Sequence, residues 1–143
     1  MKVGIYKEVQ IDASHRLLHY KGKCANLHGH RWKVEVWIEG VPDIITGILV
    51  DFTVIKDIIG KYDHQIILNR EDPMVFCIEK FQQVITTPGD PTSELLAVLI
   101  RDDLQDHCRK HRIMADVTKI RVWESPHCYA ELKSPHPIAE ITQ

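Results

Sequence analysis

Strong charge of either sign is missing from this chain. Its formal net charge is -2 over 143 residues, which leaves no electrostatic footprint for nucleic acid. Long hydrophobic runs are missing too, so no segment suits a bilayer span. The first ten residues carry Lys2, Lys7 and Glu8 without an apolar stretch, which argues against a signal peptide and for a cytoplasmic protein. Cysteine is sparse. Cys24, Cys77, Cys108 and Cys128 form no C-x-x-C pair, and a domain of this size needs no covalent staple. They read as reduced thiols. Repeats, low-complexity tracts and linkers are absent, so residues 1–143 read as one domain long enough to bury a core.

Histidine, by contrast, is plentiful, with nine in the chain. Neutral imidazole is a common zinc ligand, so their placement matters. His107, His111 and His136 read as plain surface residues.

Two strand patterns dominate the N-terminal third. Val3, Ile5, Val9, Ile11, Ala13 and His15 share one parity, and so do His28, His30, Trp32, Val34, Val36 and Ile38. Residues of one parity line one face of a pleated strand. Trp37 is the large apolar exception on the other face. Val54, Ile55, Ile58, Ile59 and Tyr62 fall at helical spacing behind an Asp51 cap. A loop-rich stretch from Asn69 to Gly89 follows. A second helix is predicted to start near Pro91 after an Asp90 cap, with Leu95, Leu96, Leu99, Ile100 and Leu104 as its apolar stripe. Two more strands, about Val117 to Glu124 and Cys128 to Leu132, are joined at Ser125-Pro126. The order predicts an α+β domain with a four-stranded antiparallel sheet and two helices on one face. Its open edges invite pairing between subunits, unless charge protects a monomer.

His28 and His30 emerge on the same strand face, and His15 ends the neighbouring strand. Pairing these strands as a hairpin brings the three together. Three nitrogens with an open fourth position is the pattern of a catalytic zinc site. Taken singly, each histidine is better read as a satisfied core or edge residue; the joint placement favours metal. Cys24, beside Lys23 in the connecting loop, is either a base or nucleophile activated by its surroundings or a fourth ligand closing a structural site. Cys77, Cys108 and Cys128 read as core or neutral thiols. Asp63-His64 can form a proton relay, although a solvated loop is the plainer reading. Glu124 shares the face of Ile120 and Val122, where a carboxylate needs a partner; that partner is a guanidine-like ligand edge or an internal Arg.

The segments Ala13-Ser14-His15-Arg16-Leu17, Lys23-Cys24, Leu27-His28-Gly29-His30, Val50-Asp51-Phe52, Tyr62-Asp63-His64, Pro91-Thr92-Ser93-Glu94 and Val122-Trp123-Glu124 occur in this order. Together they resemble the 6-pyruvoyl-tetrahydropterin synthase and 6-carboxytetrahydropterin synthase family over essentially the whole chain. The resemblance implies the tunnelling fold, with sheets joined between subunits into a barrel as a homo-oligomeric trimer or hexamer. It implies Zn2+ on His15, His28 and His30, with Cys24 as catalytic base and Asp63 and His64 as its relay. Glu124 would anchor a pterin, and Thr92, Ser93 and Glu94 would lie near the pterin pocket. The implied substrate is 7,8-dihydroneopterin triphosphate, with Lys21, Lys23 and Arg31 as candidates for gripping its phosphates. The carboxy-forming branch also breaks a carbon–carbon bond, releases acetaldehyde and feeds 7-deazaguanine and queuosine synthesis. The pyruvoyl branch only eliminates triphosphate. Three residues separate Cys24 from His28, a short gap that resembles the carboxy-forming branch. Ile11 replaces a frequent Phe, and the Asn69 to Gly89 stretch is longer than usual. The alternatives are a pterin- or purine-binding zinc protein without turnover, or another tunnelling-fold enzyme such as a cyclohydrolase or aldolase.

Overall fold

A computed structural model describes residues 1–134 of the chain; His136 lies outside the described residues. Two long strands, β1 (Val3–His15) and β2 (His28–Gly40), pair antiparallel along their whole length, from Val3 opposite Gly40 to His15 opposite His28. Strands β5 (Ala115–Ser125) and β6 (Cys128–Lys133) extend this sheet beyond β2, both antiparallel. These four are the predicted strands, within one or two residues of their expected ends. Gly40 is demanded by packing. A side chain there would put its Cβ 2.0 Å from the Met114 carbonyl oxygen, where the end of β2 meets the start of β5.

The stretch read as loop contains more structure than periodicity revealed. Short strands β3 (Gln65–Asn69) and β4 (Ile85–Thr87) join the other side of β1 in parallel, and a one-turn helix α2 (Met74–Ile78) lies between them. Elements of three to five residues are too short to show a hydrophobic period. The sheet order is β4-β3-β1-β2-β5-β6, so β4 and β6 are the edges.

Helix α1 (Phe52–Gly60) starts at Asp51, whose carboxylate accepts from the Thr53 amide at 2.8 Å. Its residues Ile55 and Ile59 are buried, as is Tyr62 just beyond. Helix α3 (Ser93–Lys110) begins two residues later than expected. Thr92 is its cap, accepting from the Leu95 amide at 3.1 Å. Asp90 instead accepts from the Asn69 side chain at 2.8 Å and the His19 amide at 2.9 Å, so the connecting loops engage it. Leu96, Ile100 and Leu104 of α3 are buried with the odd-numbered face of β1 and the even-numbered face of β2 in one core. Both long helices therefore cover one sheet face, and the histidine end of the β1–β2 hairpin lies at the margin of that core.

Candidate metal centre

The register sets His15 opposite His28 and the small Ala13 opposite His30, so three imidazoles crowd one end of the hairpin. The Nδ1 of His15 lies 2.7 Å from the Pro91 carbonyl oxygen, and the Nδ1 of His28 lies 2.6 Å from that of Asn26. A carbonyl oxygen only accepts, so both Nδ1 atoms carry the proton. Each Nε2 then presents a lone pair in the neutral ring. These two Nε2 atoms sit 3.1 Å apart. The Nε2 of His30 is buried without a hydrogen bond, although Glu124 Oε1 lies 3.0 Å away and is also 3.3 Å from His15 Nε2. Burial pushes the imidazoles of His15 and His30 below their usual range, more than Glu124 restores it, which favours the neutral rings.

All four donor atoms lie within 4.8 Å of one another. Lone pairs that converge without protons between them repel unless a cation lies among them. A nitrogen-and-oxygen set of this kind suits a divalent transition metal. The carbonyls of Pro91 and Asn26 orient the rings from behind, the usual outer support of a metal-bound histidine. Trp32, wholly buried, stands edge-on to His15 and His30 at 4.9 and 5.3 Å between ring centres. Its indole N–H donates to Ala13 O at 3.1 Å.

Beside the histidines, Thr92, Ser93, Glu94 and Glu124 share a cleft of about 160 Å³ with Cys128 and Tyr129. Residues 4–135 match the family described as 6-pyruvoyl tetrahydropterin synthase. The chain belongs to that family. It is accordingly an enzyme of the tetrahydropterin synthase type. It is 31% identical to a Haemophilus influenzae protein named 6-carboxy-5,6,7,8-tetrahydropterin synthase, with 89% of this chain and 96% of that one covered. A Rickettsia bellii protein of the same name is 30% identical over 88% of this chain and 96% of its own. In fold, the chain is similar to a Plasmodium vivax 6-pyruvoyltetrahydropterin synthase structure, with a TM-score of 0.66 at 19% identity and coverage of 95% and 99%.

The other residues singled out in this tetrahydropterin synthase chain fall in two further places. Cys24 is half-buried in a short 3-10 turn, Lys23–Ala25. It is not part of the four-donor group; Glu124 is. Asp63 and His64 form a separate group with Asp12. Asp63 Oδ1 accepts from the Asp12 amide at 2.9 Å and lies 3.1 Å from His64 Nδ1. That backbone hydrogen bond, ahead of His64, holds the Asp63 carboxyl below its usual range. His64 has a left-handed backbone, φ 59°, and its amide donates to Asp12 O at 2.7 Å. Among the described residues, no hydrogen bond joins Cys24 to this pair, so one chain does not assemble the expected relay. Cys128, read as a core or neutral thiol, is exposed and lines the cleft. The β5–β6 turn carries it there, and the register irregularity between Trp123 and Ser125 breaks the parity that would have shown this. Strand parity places Trp32 on the face of His28 and His30, but the backing roles of the Pro91 and Asn26 carbonyls left no local sequence signal. No helix among the described residues is long and apolar enough to cross a membrane.

Proposed function

We propose that this chain is a zinc-dependent carbon–carbon lyase converting 7,8-dihydroneopterin triphosphate to 6-carboxy-5,6,7,8-tetrahydropterin. One water is consumed, acetaldehyde and triphosphate are released, and the product serves 7-deazaguanine and queuosine synthesis. The observation that carries the reading is the convergence of three imidazole Nε2 atoms, two of them stripped of protons by their backbone partners. The three-residue gap from Cys24 to His28 and the names of the Haemophilus and Rickettsia relatives favour the carboxy-forming branch.

His15, His28 and His30 would hold the zinc ion, which supplies Lewis acidity toward the side-chain oxygens of the substrate. Cys24 moves a proton on that side chain as general base. Glu124, on the cleft wall, accepts the N–H donors of the pterin 2-amino-pyrimidinone edge, and Thr92, Ser93 and Glu94 line the same pocket. Asp63 holds His64, and the pair relays protons to the Cys24 of a neighbouring copy. The enzyme works as a single pterin-synthase-like domain in a cytoplasmic homo-oligomer, a trimer or hexamer whose sheets join into a barrel through the β4 and β6 edges. A one-chain cleft of about 160 Å³ is below the roughly 300 Å³ at which small-molecule pockets begin, in keeping with a site that a second copy completes.

The test is incubation of zinc-loaded protein with 7,8-dihydroneopterin triphosphate, followed by product mass and an acetaldehyde assay. The expected result is the 6-carboxy product with acetaldehyde. A product that keeps all side-chain carbons moves the chain to the pyruvoyl branch. Binding without any product leaves a non-catalytic pterin protein.

A further inference from the structure

The residue after His15 makes contacts that a surface arginine does not. Arg16 meets Asp72 through two parallel bonds, Nε to Oδ2 at 2.6 Å and Nη2 to Oδ1 at 3.0 Å. The Asp72 side chain is fully enclosed, and the Arg16 side chain is 20% exposed. The third arm of the guanidinium, Nη1, donates to the carbonyl of Ala25 at 3.2 Å. One residue on, the Leu17 amide donates to the carbonyl of Cys24 at 2.9 Å. Two consecutive residues leaving β1 therefore grip the two consecutive carbonyls of the turn that bears the Cys24 thiol.

Asp72 is itself held fast. It accepts from the Met74 amide at 2.9 Å, and its own amide donates to Asn69 O at 2.9 Å. The carboxylate is thus tied to the end of β3 and to α2, in the extended middle stretch of the chain. We propose that Arg16, braced by Asp72, is a positioning residue that sets the Cys24 thiol against the histidine group. The proposal rests on the reading of Cys24 as the proton-moving thiol. It also gives the Asn69 to Gly89 stretch a role: it supplies the brace.

Physical chemistry explains why this position takes arginine. The guanidinium offers a rigid planar fork with donors left over, so it can bind a carboxylate with two arms and a carbonyl with a third. Lysine has the charge but no fork. Because Arg16 is bonded to His15, the histidine group and the Cys24 turn share one short rigid path. Proton transfer is sensitive to such placement.

The experiment compares Arg16→Lys and Asp72→Asn with the unsubstituted chain, all zinc-loaded. Six quantities are read: zinc per chain, cooperativity of urea unfolding, kcat and KM with dihydroneopterin triphosphate, and the iodoacetamide alkylation rates of Cys24 and of Cys128 by peptide mass. The expected result is a fall in kcat of roughly 100-fold, the cost of a misplacement near 1 Å, with KM and zinc unchanged. Cys24 alkylation should rise severalfold as its turn loosens, while Cys128, at the start of β6, keeps its rate. Unchanged kcat and unchanged Cys24 alkylation overturn the proposal. So does a joint loss of zinc and of cooperative unfolding in both variants, which assigns the pair to stability alone. If the unsubstituted chain makes no product, or Cys24→Ala retains turnover, the functional reading has failed instead. The alkylation rates, which need no turnover, still decide whether Arg16 positions the thiol.

Discussion

Two carboxylates on neighbouring strands of this sheet live in opposite circumstances. Glu35, on the face of β2 away from the helices, is 8% exposed. It accepts from the Tyr6 hydroxyl at 2.6 Å and from the Trp123 indole N–H. Burial alone would push its carboxyl up, but these donors, with Lys33 and Arg121 close by, hold it below its usual range. The same contact and the burial push the Tyr6 phenol up. Lys33 lies 4.6 Å over the Trp123 ring and Lys119 4.0 Å over Trp37, so cations and aromatic rings close the cluster. Glu124, at the end of β5, is partly exposed and faces the ring nitrogens of His15 and His30; the His15 proton lies on the far side of its ring, on Nδ1. A buried charge with all its donors is architecture. Imidazole lone pairs gathered beside a carboxylate make a site suited to a cation.

Removing a histidine from the unsatisfied group should have the largest effect. His28→Ala is expected to lose bound zinc and with it all turnover, while the fold persists; metal analysis and circular dichroism check this. Retention of zinc at the wild-type level would break the contrast with Glu35. Next comes Cys24→Ala, expected to keep zinc and bind substrate while turnover falls by ~10²–10⁴-fold, the usual share of general acid–base catalysis. If zinc is lost instead, in equilibrium dialysis against a chelator, Cys24 is a ligand and the site is a closed one. Glu124→Gln should leave zinc in place and weaken pterin binding by about 1.5–3 kcal/mol for each charge-assisted hydrogen bond lost, measured by fluorescence titration. A drop in zinc affinity there would make Glu124 the fourth metal donor.

The opposite side of the comparison predicts a smaller, purely structural effect. Glu35→Gln should cost about 1–3 kcal/mol of stability at neutral pH, with zinc content and kcat unaltered. Its sign with pH follows from the depressed folded-state value. The contribution is present above the ordinary carboxyl value of 4.5 and disappears as pH falls through the lower folded value. Urea denaturation from pH 7 to pH 3 should therefore show the two proteins converging in acid. A constant gap would mean that the Tyr6 and Trp123 bonds do not depend on the charge. Smallest of all, Lys119→Ala should cost ~0.5–1 kcal/mol through the lost contact with Trp37, read as a slight fall in the thermal midpoint.

Much of the site was legible because it lies on regular strands. The parity of Ala13 and His15 in β1, and of His28, His30 and Trp32 in β2, places these side chains on one face before any contact is known. The parity of Ile120, Val122 and Glu124 does the same for β5. Illegible residues depend on irregular backbone or on distant partners. Thr92 displaced Asp90 as the cap because Asp90 was taken by Asn69 and His19, residues more than twenty positions upstream. Cys128 reached the cleft across a register break. The Asp63–His64 pair bonds the backbone of Asp12, a distant partner that no local pattern announces.

Local periodicity and donor chemistry thus determined the four antiparallel strands, the two long helices and the set of three histidines, since each follows from residues a few positions apart. The tertiary structure alone decided which ring nitrogen carries the proton. That depends on the carbonyls of Asn26 and Pro91, and Pro91 is 76 residues from His15. It also decided that Glu35 meets a hydroxyl and an indole N–H, whereas Glu124 meets two imidazole nitrogens. A carboxylate's character is set by the groups that reach it through space, and for these two residues those groups come from other strands.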